Sequence, residues 1–311
     1  MGIFQLSNME LKALTKQELH ERTQQFCDLY HSCFNDKIDA TIIEQRYLQN
    51  PVGDLCMYVA MEDDRIVANY SVSPALLQKG DKQIKCALSL NTMTHPAFVG
   101  KGLFVELAKR LYGELKQQGY GMVYGFPNYI SNRTFCTKLG WKDIYEIPTL
   151  ELAVEKELPF NSSNIIPCSA FDVPQDSNGQ LSVAKYEVYL NWRYKNKPYT
   201  EYNMVQTVNG SWMVYKRYQN MINIVELHPV SVEDLTDLIG YVLSVVVSLG
   251  LEKMTVWSGA NSWIHLCLEK LGFRNRYPIT YFGACDLNMP KELDIWDFRN
   301  WNIQMGDDNV Y

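Results

Sequence analysis

The sequence has no apolar run long enough to cross a membrane. Its most apolar stretch, LIGYVLSVVVSLGL at 238–251, has 14 residues, whereas a membrane-spanning helix needs about 20. We interpret this stretch as a buried helix. The first 30 positions are rich in polar and charged side chains, among them Glu10, Glu18 and Glu21, so no secretory signal peptide is expected. These two absences predict a cytoplasmic protein that does not bind membranes.

The chain also has fewer basic than acidic residues. The chain has 29 Lys and Arg residues against 35 Asp and Glu residues, which gives a net charge of −6. Binding to nucleic acid depends on a basic surface that neutralises phosphates. The composition therefore argues against a general nucleic-acid binder, while it is compatible with a cationic amine as substrate.

The eight cysteines suggest neither a disulfide framework nor a metal site. They are scattered along the chain, with no CxxC pair and no histidines at the spacing of zinc ligands. Their positions are Cys27, Cys33, Cys56, Cys86, Cys136, Cys168, Cys267 and Cys285. We expect reduced thiols and no bound metal.

What the chain does contain is an internal repeat. Three motifs recur in the same order: RYxxxP at 46–51 and 193–198, an apolar stretch ending in His-Pro at 95–96 and 228–229, and Lys-Leu-Gly-aromatic at 138–141 and 270–273. With 311 residues, 47% of them apolar, the chain is long enough for two cores. We predict units at 1–158 and 181–311, joined by a Pro-, Ser- and Asn-rich linker at 159–180. Arg46 and Arg193 are expected to form structural ion pairs.

A second strong feature is a pair of glycines between an apolar strand and an amphipathic helix. Gly100 and Gly102 lie where the helix begins, so backbone N–H groups point outwards at the positive end of the helix dipole. This arrangement favours a phosphate ligand. A Gly-Lys-Gly turn that caps the helix for steric reasons alone explains the same residues and stays open as an alternative.

The spacing of these residues excludes two nucleotide-binding loops. A Walker loop needs glycine at 95 and Ser or Thr after Gly-Lys, where this chain has His95 and Gly102. A dinucleotide fingerprint needs a third glycine at the position of Val105. The remaining pattern, xxxGxG between a strand and a helix, resembles the pyrophosphate loop of the GNAT acetyltransferase superfamily. The resemblance implies coenzyme A as the ligand and assigns six residues to it: Val99, Gly100, Lys101, Gly102, Leu103 and Phe104.

The order of the predicted elements also resembles the GNAT fold over most of residues 1–153. We predict helices at 16–34, 39–48, 102–118 and 130–139, and strands at 56–61, 65–74, 83–94, 120–126 and 142–153. The predicted fold class is α/β with a mixed sheet, in two tandem GNAT-like units of which the first binds the cofactor.

The second unit is predicted to be degenerate, because HPVSVEDLTD replaces the glycine loop there. Ser231 and Asp234 read as a capping box. Glu233 and Asp234 would repel a pyrophosphate group at this position. We expect this unit to supply one wall of the acceptor pocket or a dimer surface.

The resemblance further implies a groove for the pantetheine arm of coenzyme A between strands 83–94 and 120–126. Pro127 cannot donate a ladder hydrogen bond, and a strand that ends in this way tends to separate from its neighbour. Alternatively, the proline does no more than end the strand. The residues implied here are Asn91, Met93 and Thr94 on the first strand, and Asn128 and Asn132 after the second. Asn132 serves equally well as a helix cap.

Acetyl transfer to an amine needs a base for the ammonium and a proton for the leaving thiolate. His95 is the candidate base, although His228 at the same place in the other unit favours a structural role for both. GNAT enzymes often use a tyrosine where this chain has Cys136. The proton would then come from Cys136 itself, from Tyr129 or Tyr124, or from solvent.

The resemblance implies an acetyl-CoA-dependent N-acetyltransferase that acts on a small amine, with an amino sugar or a sugar nucleotide as the first choice. Two alternatives stay open: a non-catalytic acyl-CoA-binding module and an aminoacyl-tRNA-dependent transferase. A homodimer is compatible with the sequence. In the stretch 296–311 we expect Trp296 and Trp301 to pack on the body of the protein, and Asp307 and Asp308 to lie in water rather than to grip an acceptor.

Overall fold

A computed structural model describes residues 9–154, 158–168, 179–195, 197 and 199–311, with the backbone alone at 167 and 277–279. The predicted linker at 159–180 falls partly outside these residues, since 169–178 are not among them. The same holds for Asn196 and Pro198 of the second RYxxxP motif.

The first half alternates helices and strands in the predicted order. In chain order it contains β1 (Met9–Leu14), α1 (Lys16–Glu21), α2 (Thr23–Phe34), α3 (Ala40–Ile43, continued by a π-helical turn at Glu44–Leu48), β2 (Cys56–Glu62), β3 (Arg65–Lys79), β4 (Lys82–Ser89), β5 (Met93–Thr94), α4 (Leu103–Gln117), β6 (Met122–Gly125), α5 (Tyr129–Lys138) and β7 (Lys142–Ala153). Two predictions need correction. The helix predicted at 16–34 is divided at Arg22, and the strand predicted at 83–94 is interrupted at 90–92, so that its last part is the separate strand β5.

The second half repeats this order of elements from its third strand onwards. It contains β8 (Ile165–Pro167), β9 (Ser182–Val183), α6 (Glu187–Tyr194), β10 (Tyr202–Thr207), β11 (Trp212–Tyr218), β12 (Met221–His228), α7 (Val232–Ser248), β13 (Lys253–Trp257), α8 (Trp263–Leu271) and β14 (Arg274–Asp286). The apolar stretch at 238–251 forms most of α7, whose inward side is fully buried, as the sequence predicts. In the part of the chain that the structure describes, no helix is both long and apolar enough to cross a bilayer.

All of these strands belong to one mixed sheet, which confirms the predicted fold class. Its main path runs β1-β2-β3-β4-β6-β14-β7-β13-β12-β11-β10-β8, while β5 and β9 each pair with β3. The last strand of each half pairs with the other half: β14 lies against β6, and β7 lies against β13. The sheet therefore does not divide at the predicted linker. The domain boundaries at 158 and 181 stay a prediction.

Successive residues of a strand point to opposite faces of this sheet. On one face, α4 buries Leu107, Ala108, Leu111 and Leu115 against the first half, and α7 packs in the same manner on the second half. On the opposite face, α2 and α3 pack on β2 and β3 of the first half, and a further apolar cluster, which both halves share, is covered by the C-terminal stretch 293–311. Helices therefore lie on both faces of the sheet.

Candidate active site

The strands β4 and β6 are parallel neighbours that separate after only two residue pairs. These pairs are Ala87 with Val123 and Leu88 with Tyr124. Beyond them, the chain bulges at 90–92 and continues along β3 as β5, whereas β6 ends at Gly125 and runs into Phe126 and Pro127. The separation leaves a gap in the sheet at the carboxyl ends of both strands.

The predicted glycine loop lies at this edge, immediately before α4. Gly100 and Gly102 have φ angles of +83° and +76°, in the left-handed region that favours glycine. Gly102 is the N-cap of α4, and within the described residues no side chain caps this helix. The N–H groups of its first turn are therefore available to a ligand. A Cβ atom at either glycine would have no neighbour within 4 Å, so the space in front of the loop is open.

The other residues assigned to the loop from the sequence have different environments. Lys101 places its Nζ 4.4 Å from the centroid of the Phe98 ring. Leu103 is buried, and Phe104 packs on the rings of Tyr70 and Phe135. These contacts anchor the start of α4 on the sheet. They leave the glycines, Lys101 and Val99 towards solvent.

Exposed apolar side chains flank the gap. Val99, Tyr129 and Ile130 are 68%, 81% and 83% exposed, respectively. Val99 lies before α4, and the other two open α5. Because both helices follow parallel neighbouring strands, their beginnings lie at the same edge of the sheet. A ligand that lay across the gap would cover these three side chains, which gives a reason for their exposure.

The asparagines predicted to contact pantetheine are engaged with the protein. Asn128 caps α5 by accepting a hydrogen bond from the Ser131 N–H at 2.9 Å. Asn132 is buried and donates from Nδ2 to the Asp143 carboxylate at 3.2 Å. Asn91 accepts a hydrogen bond at its backbone carbonyl from the Asn69 side chain. Their assignment to a cofactor stays a prediction.

The two remaining residues of that assignment lie on β5. Met93 is fully buried in the apolar core beneath α2, and Thr94 is half-buried and pairs with Ala68 of β3. Their assignment to the cofactor stays a prediction as well.

His95 acts as an N-cap. Its Nδ1 accepts a hydrogen bond from the Ala97 N–H at 3.3 Å, at the start of a short 3₁₀ turn. An imidazole that accepts at Nδ1 carries its proton on Nε2. Neither nitrogen then has a free lone pair for the proton of an amine, so this geometry favours the structural role that the sequence left open.

The two candidate acids are also distinguished by their surroundings. Cys136 is half-buried, and its thiol donates to the carbonyl of the Asn132 side chain and to the Asp143 carboxylate, at 3.7 Å in each case. Burial and the negative charge of Asp143 raise the pKa of Cys136. A thiol with a raised pKa is a poor proton donor to another thiolate. Tyr129 lies on the exposed side of α5. Both assignments stay predictions.

A small cavity lies behind the gap, on the face opposite α4. The last paired residues of the gap, Leu88 and Tyr124, belong to its lining together with Asn50, Ser73, Arg46, Asp307 and Asp308. Its volume is about 30 Å³, which is roughly the space of one water molecule. The second half contributes to the wall through Tyr189 and Trp192 of α6. That this half supplies a wall of the acceptor pocket stays a prediction.

The acids of the tail are not in water, and this expectation from the sequence is wrong. Trp301 is buried as expected and Trp296 is half-buried, but Asp307 is only 2% exposed and Asp308 is half-buried. The tail packs tightly here. A Cβ atom at Gly306 would collide with the Tyr194 hydroxyl and would lie 2.7 Å from a Glu226 oxygen. That glycine, next to the two acids, is the signal in the sequence that could have indicated burial.

Asp307 is held by a buried network of charges. Lys185 places its Nζ 2.9 Å from the Asp307 carboxylate and 2.6 Å from the Glu226 carboxylate. Burial opposes the charge of Lys185, but the two carboxylates outweigh this effect and raise its pKa. His228 Nε2 lies 2.8 Å from Glu226. Asp307 is thus a structural carboxylate that fixes the tail.

Asp308 is the less constrained of the two carboxylates. Its Oδ1 accepts a hydrogen bond from the Val310 N–H at 3.3 Å. Burial raises the pKa of Asp308 to about 6, although backbone hydrogen bonds from residues 309 and 310 and the charges of Arg193 and Arg46 act in the opposite direction. A carboxylate with such a pKa is suited to accept a proton near neutral pH. From the sequence, Asp308 was expected to lie in water and not in the site.

The Arg193 side chain stabilises the tail by hydrogen bonds to backbone oxygens of the tail instead of by an ion pair with an acidic side chain. The guanidinium donates to the carbonyl groups of Gly306, Asp308 and Tyr311. Arg46 lies 5.7 Å from the centroid of the Tyr199 ring. Within the residues that the structure covers, neither arginine has an Asp or Glu side chain within ion-pair distance, so the expected ion pairs with acidic side chains are not formed.

The start of α7 differs from that of α4, as the sequence predicts. Ser231 is the N-cap and accepts a hydrogen bond from the Asp234 N–H at 3.0 Å. The reciprocal bond of a capping box is replaced, because the Asp234 carboxylate is buried and accepts hydrogen bonds from Ser211, Asn164 and Asn209. The first turn of α7 therefore holds the buried Asp234 carboxylate, whereas the first turn of α4 presents free N–H groups.

Comparison with known proteins agrees with this geometry. Residues 12–144 match the family model of the acetyltransferase (GNAT) domain. This stretch, which is less than half of the chain, holds the glycine loop and the gap between β4 and β6. No curated protein matches the chain by sequence.

Several crystal structures share the fold over most of the chain. A probable N-acyltransferase of Enterococcus faecalis has a TM-score of 0.68 at 16% identity, with 91% of this chain and 73% of that chain covered. A GCN5-related N-acetyltransferase of Anabaena variabilis has a TM-score of 0.70 at 13% identity, with 90% and 73% covered. N-myristoyltransferase of Saccharomyces cerevisiae, with bound myristoyl-CoA, has a TM-score of 0.63 at 9% identity, with 90% and 79% covered. At these identities, the likeness concerns the fold.

Proposed function

We propose that the protein transfers an acyl group, with acetyl-CoA as the donor, to the amine of a small acceptor. The observation that carries this proposal is the gap between the parallel strands β4 and β6, with an uncapped glycine loop at the start of α4 on the same edge. The GNAT domain match over residues 12–144 supports it. Two tandem GNAT-like units remain part of the proposal.

The residues of the loop fit a pyrophosphate group. The first N–H groups of α4 and the positive end of its dipole favour an anion, and Lys101 adds a positive charge beside them. The separated strands leave backbone groups near 90–92 for an extended pantetheine arm, which would pair with the strand edge. N–H groups of the same segment are candidates to stabilise the oxyanion that forms on the thioester carbonyl.

The acceptor amine would enter from the other face of the sheet. Asp308 lies in the cavity behind the gap, and we propose it as the base that takes the proton of the ammonium. Tyr124 lines the same cavity at the last residue pair of the gap, and we propose its hydroxyl as the donor to the leaving thiolate. An acceptor larger than a water molecule would have to displace residues 306–309 of the tail.

The acceptor class and the cellular setting come from the sequence alone. An amino sugar or a sugar nucleotide is the first class to test, because the resemblance in the sequence pointed to it. A homodimer and a cytoplasmic location stay predictions. That the protein binds neither nucleic acid nor membranes also stays a prediction.

The test is release of free coenzyme A thiol from acetyl-CoA in the presence of a panel of amines that includes glucosamine and polyamines. We expect release with at least one amine, and loss of that release in Asp308→Asn. Glu292→Gln, which changes an exposed acid just before the tail, serves as the matched control. Binding of acetyl-CoA without release for any amine would contradict the transferase and favour a non-catalytic acyl-CoA-binding module.

A further inference from the structure

A large cavity lies between β7 and the second half of the chain, away from the glycine loop. Its volume is about 630 Å³, within the range of about 300–1,000 Å³ that is typical of small-molecule sites. It opens where β12 and β13 separate after the pair of Ile224 with Val256. The position corresponds, element for element, to the gap between β4 and β6.

A phosphate-bearing ligand does not fit this second gap. The start of α7 is capped by Ser231, and the Asp234 carboxylate is buried just inside the helix. Of the described residues that line the cavity, none is Asp, Glu, Lys or Arg. Burial lowers the pKa of His228, in part against the charge of Glu226, which favours its neutral form. The described lining therefore offers no acidic side chain, lysine or arginine to a ligand.

Aromatic rings form much of the wall and are fixed by their packing. Trp212 is stacked on His228, with ring centroids 4.0 Å apart and an angle of 11° between the planes. Tyr145 is stacked on Phe298 at 4.1 Å and 8°. The Trp301 ring is held by a hydrogen bond from Nε1 to the Ile295 carbonyl at 2.8 Å. These rings lose little freedom when a ligand binds, which favours affinity.

Neutral hydrogen-bonding side chains line the cavity together with the aromatic rings. They are the amides and hydroxyls of Gln180, Asn261, Asn302, Gln304, Ser258 and Ser262. At the rim, Trp263 is 41% exposed on the first turn of α8. Amides and hydroxyls both donate and accept hydrogen bonds, so they match a ligand that carries several hydroxyl groups.

From this combination we infer a binding site for a neutral saccharide in the second half of the chain, separate from the site of acyl transfer. The C–H face of a sugar ring carries partial positive charge and is attracted to the negative face of an aromatic ring. Its hydroxyl groups would pair with the amides of Asn261 and Asn302. A ligand with a free ammonium or phosphate group would find no charged partner on the lining. The inference does not depend on the transfer reaction.

The test is saturation-transfer difference NMR on the full chain with methyl glucoside, methyl galactoside, methyl mannoside and N-acetylglucosamine, each on the order of 10 mM because single sugars bind weakly. Uridine and adenosine are tested in parallel, since a flat nucleoside ring is the competing ligand. The variants are Trp263→Ala and Asn261→Ala, both at the rim, where folding is least affected. Tyr218→Ala removes a half-exposed ring at the end of β11 and is the control.

We expect at least one saccharide to bind, and its affinity to fall roughly tenfold in each rim variant but not in Tyr218→Ala. Absence of saccharide binding, preference for a nucleoside, or undiminished binding in both rim variants would overturn the inference. Circular dichroism and thermal unfolding of the same variants show that they are folded. Saccharide binding by a chain that fails to bind acetyl-CoA would leave this inference intact and reject only the proposed transferase.

Discussion

Leu88 and Tyr124 form the last residue pair that joins β4 to β6. Their side chains point away from α4, into the cavity that also holds Asp308. Both strands end one residue further along: β4 continues through β5 to the glycine loop, and β6 runs into α5. A thioester from one face of the sheet and an amine from the other would meet at this pair.

The proposed base predicts how the rate depends on pH. Burial raises the pKa of Asp308 to about 6, and a general base is active only when it is deprotonated. We therefore expect kcat/KM to rise with pH through about 6 and to level off above it, with this limb absent in Asp308→Asn. A pH profile of thiol release measures the effect. An unchanged limb in Asp308→Asn would assign the proton transfer to another group.

The cap formed by His95 predicts a mild effect of one substitution. Asparagine also caps helical turns, so His95→Asn is expected to keep nearly all activity, whereas loss of a true general base costs about 10²–10⁴-fold. His95→Ala is expected to lower the free energy of unfolding by about 1 kcal/mol. Steady-state kinetics of both variants decide the question: equal and large losses of kcat would show that His95 is the base.

The buried charges around the tail predict that replacing Lys185 by an apolar residue greatly lowers the free energy of unfolding. Lys185→Met leaves the carboxylates of Glu226 and Asp307 without their cation, and breaking a buried pair in this way costs about 3–5 kcal/mol. Lys82→Met removes an exposed pair with Glu292 and should cost less than about 1 kcal/mol. Urea denaturation of both variants gives the two values. Similar losses would mean that the network contributes little to holding the tail.

A chain of hydroxyl groups beneath α4 predicts a second stability effect. The Tyr112 hydroxyl accepts a hydrogen bond from Trp141 Nε1 and bonds to the Tyr70 hydroxyl, each at 2.8 Å. Tyr112→Phe leaves the buried indole N–H without a partner, which costs about 1–3 kcal/mol. Tyr218→Phe, on a half-exposed ring, is the control and should change little. Thermal unfolding followed by calorimetry compares them.

Local patterns in the sequence predict the elements around the candidate site well. The helix predicted at 102–118 matches α4 to within one residue at each end. This prediction succeeds because its two signals, the amphipathic spacing and the glycines before the helix, are both local features of the sequence. The interruption at 90–92 was missed, because a bulge depends on pairing with β3 and leaves the apolar pattern of the strand unchanged.

Contacts between distant parts of the chain were not predictable in this way. β14 of the second half lies between β6 and β7 of the first half, so the two halves exchange their last strands. The residue pattern of β7 and β14 is compatible with pairing inside each half and with this exchange, so the sequence pattern does not distinguish the two. The burial of Asp307 depends on Lys185, more than a hundred positions earlier in the sequence. A single sequence gives no signal for such a pair.

The most direct test of the account is a calorimetric titration with acetyl-CoA of three proteins: the native chain, Gly102→Glu and Gly119→Glu. Both glycines have positive φ, +76° and +78°, and open space around them, so the two variants share the same backbone strain and the same added charge. Only Gly102 lies in the loop before α4. We predict that the native chain and Gly119→Glu bind acetyl-CoA and that Gly102→Glu does not. No binding by the native chain, or equal binding by all three, would contradict the assignment of the cofactor site.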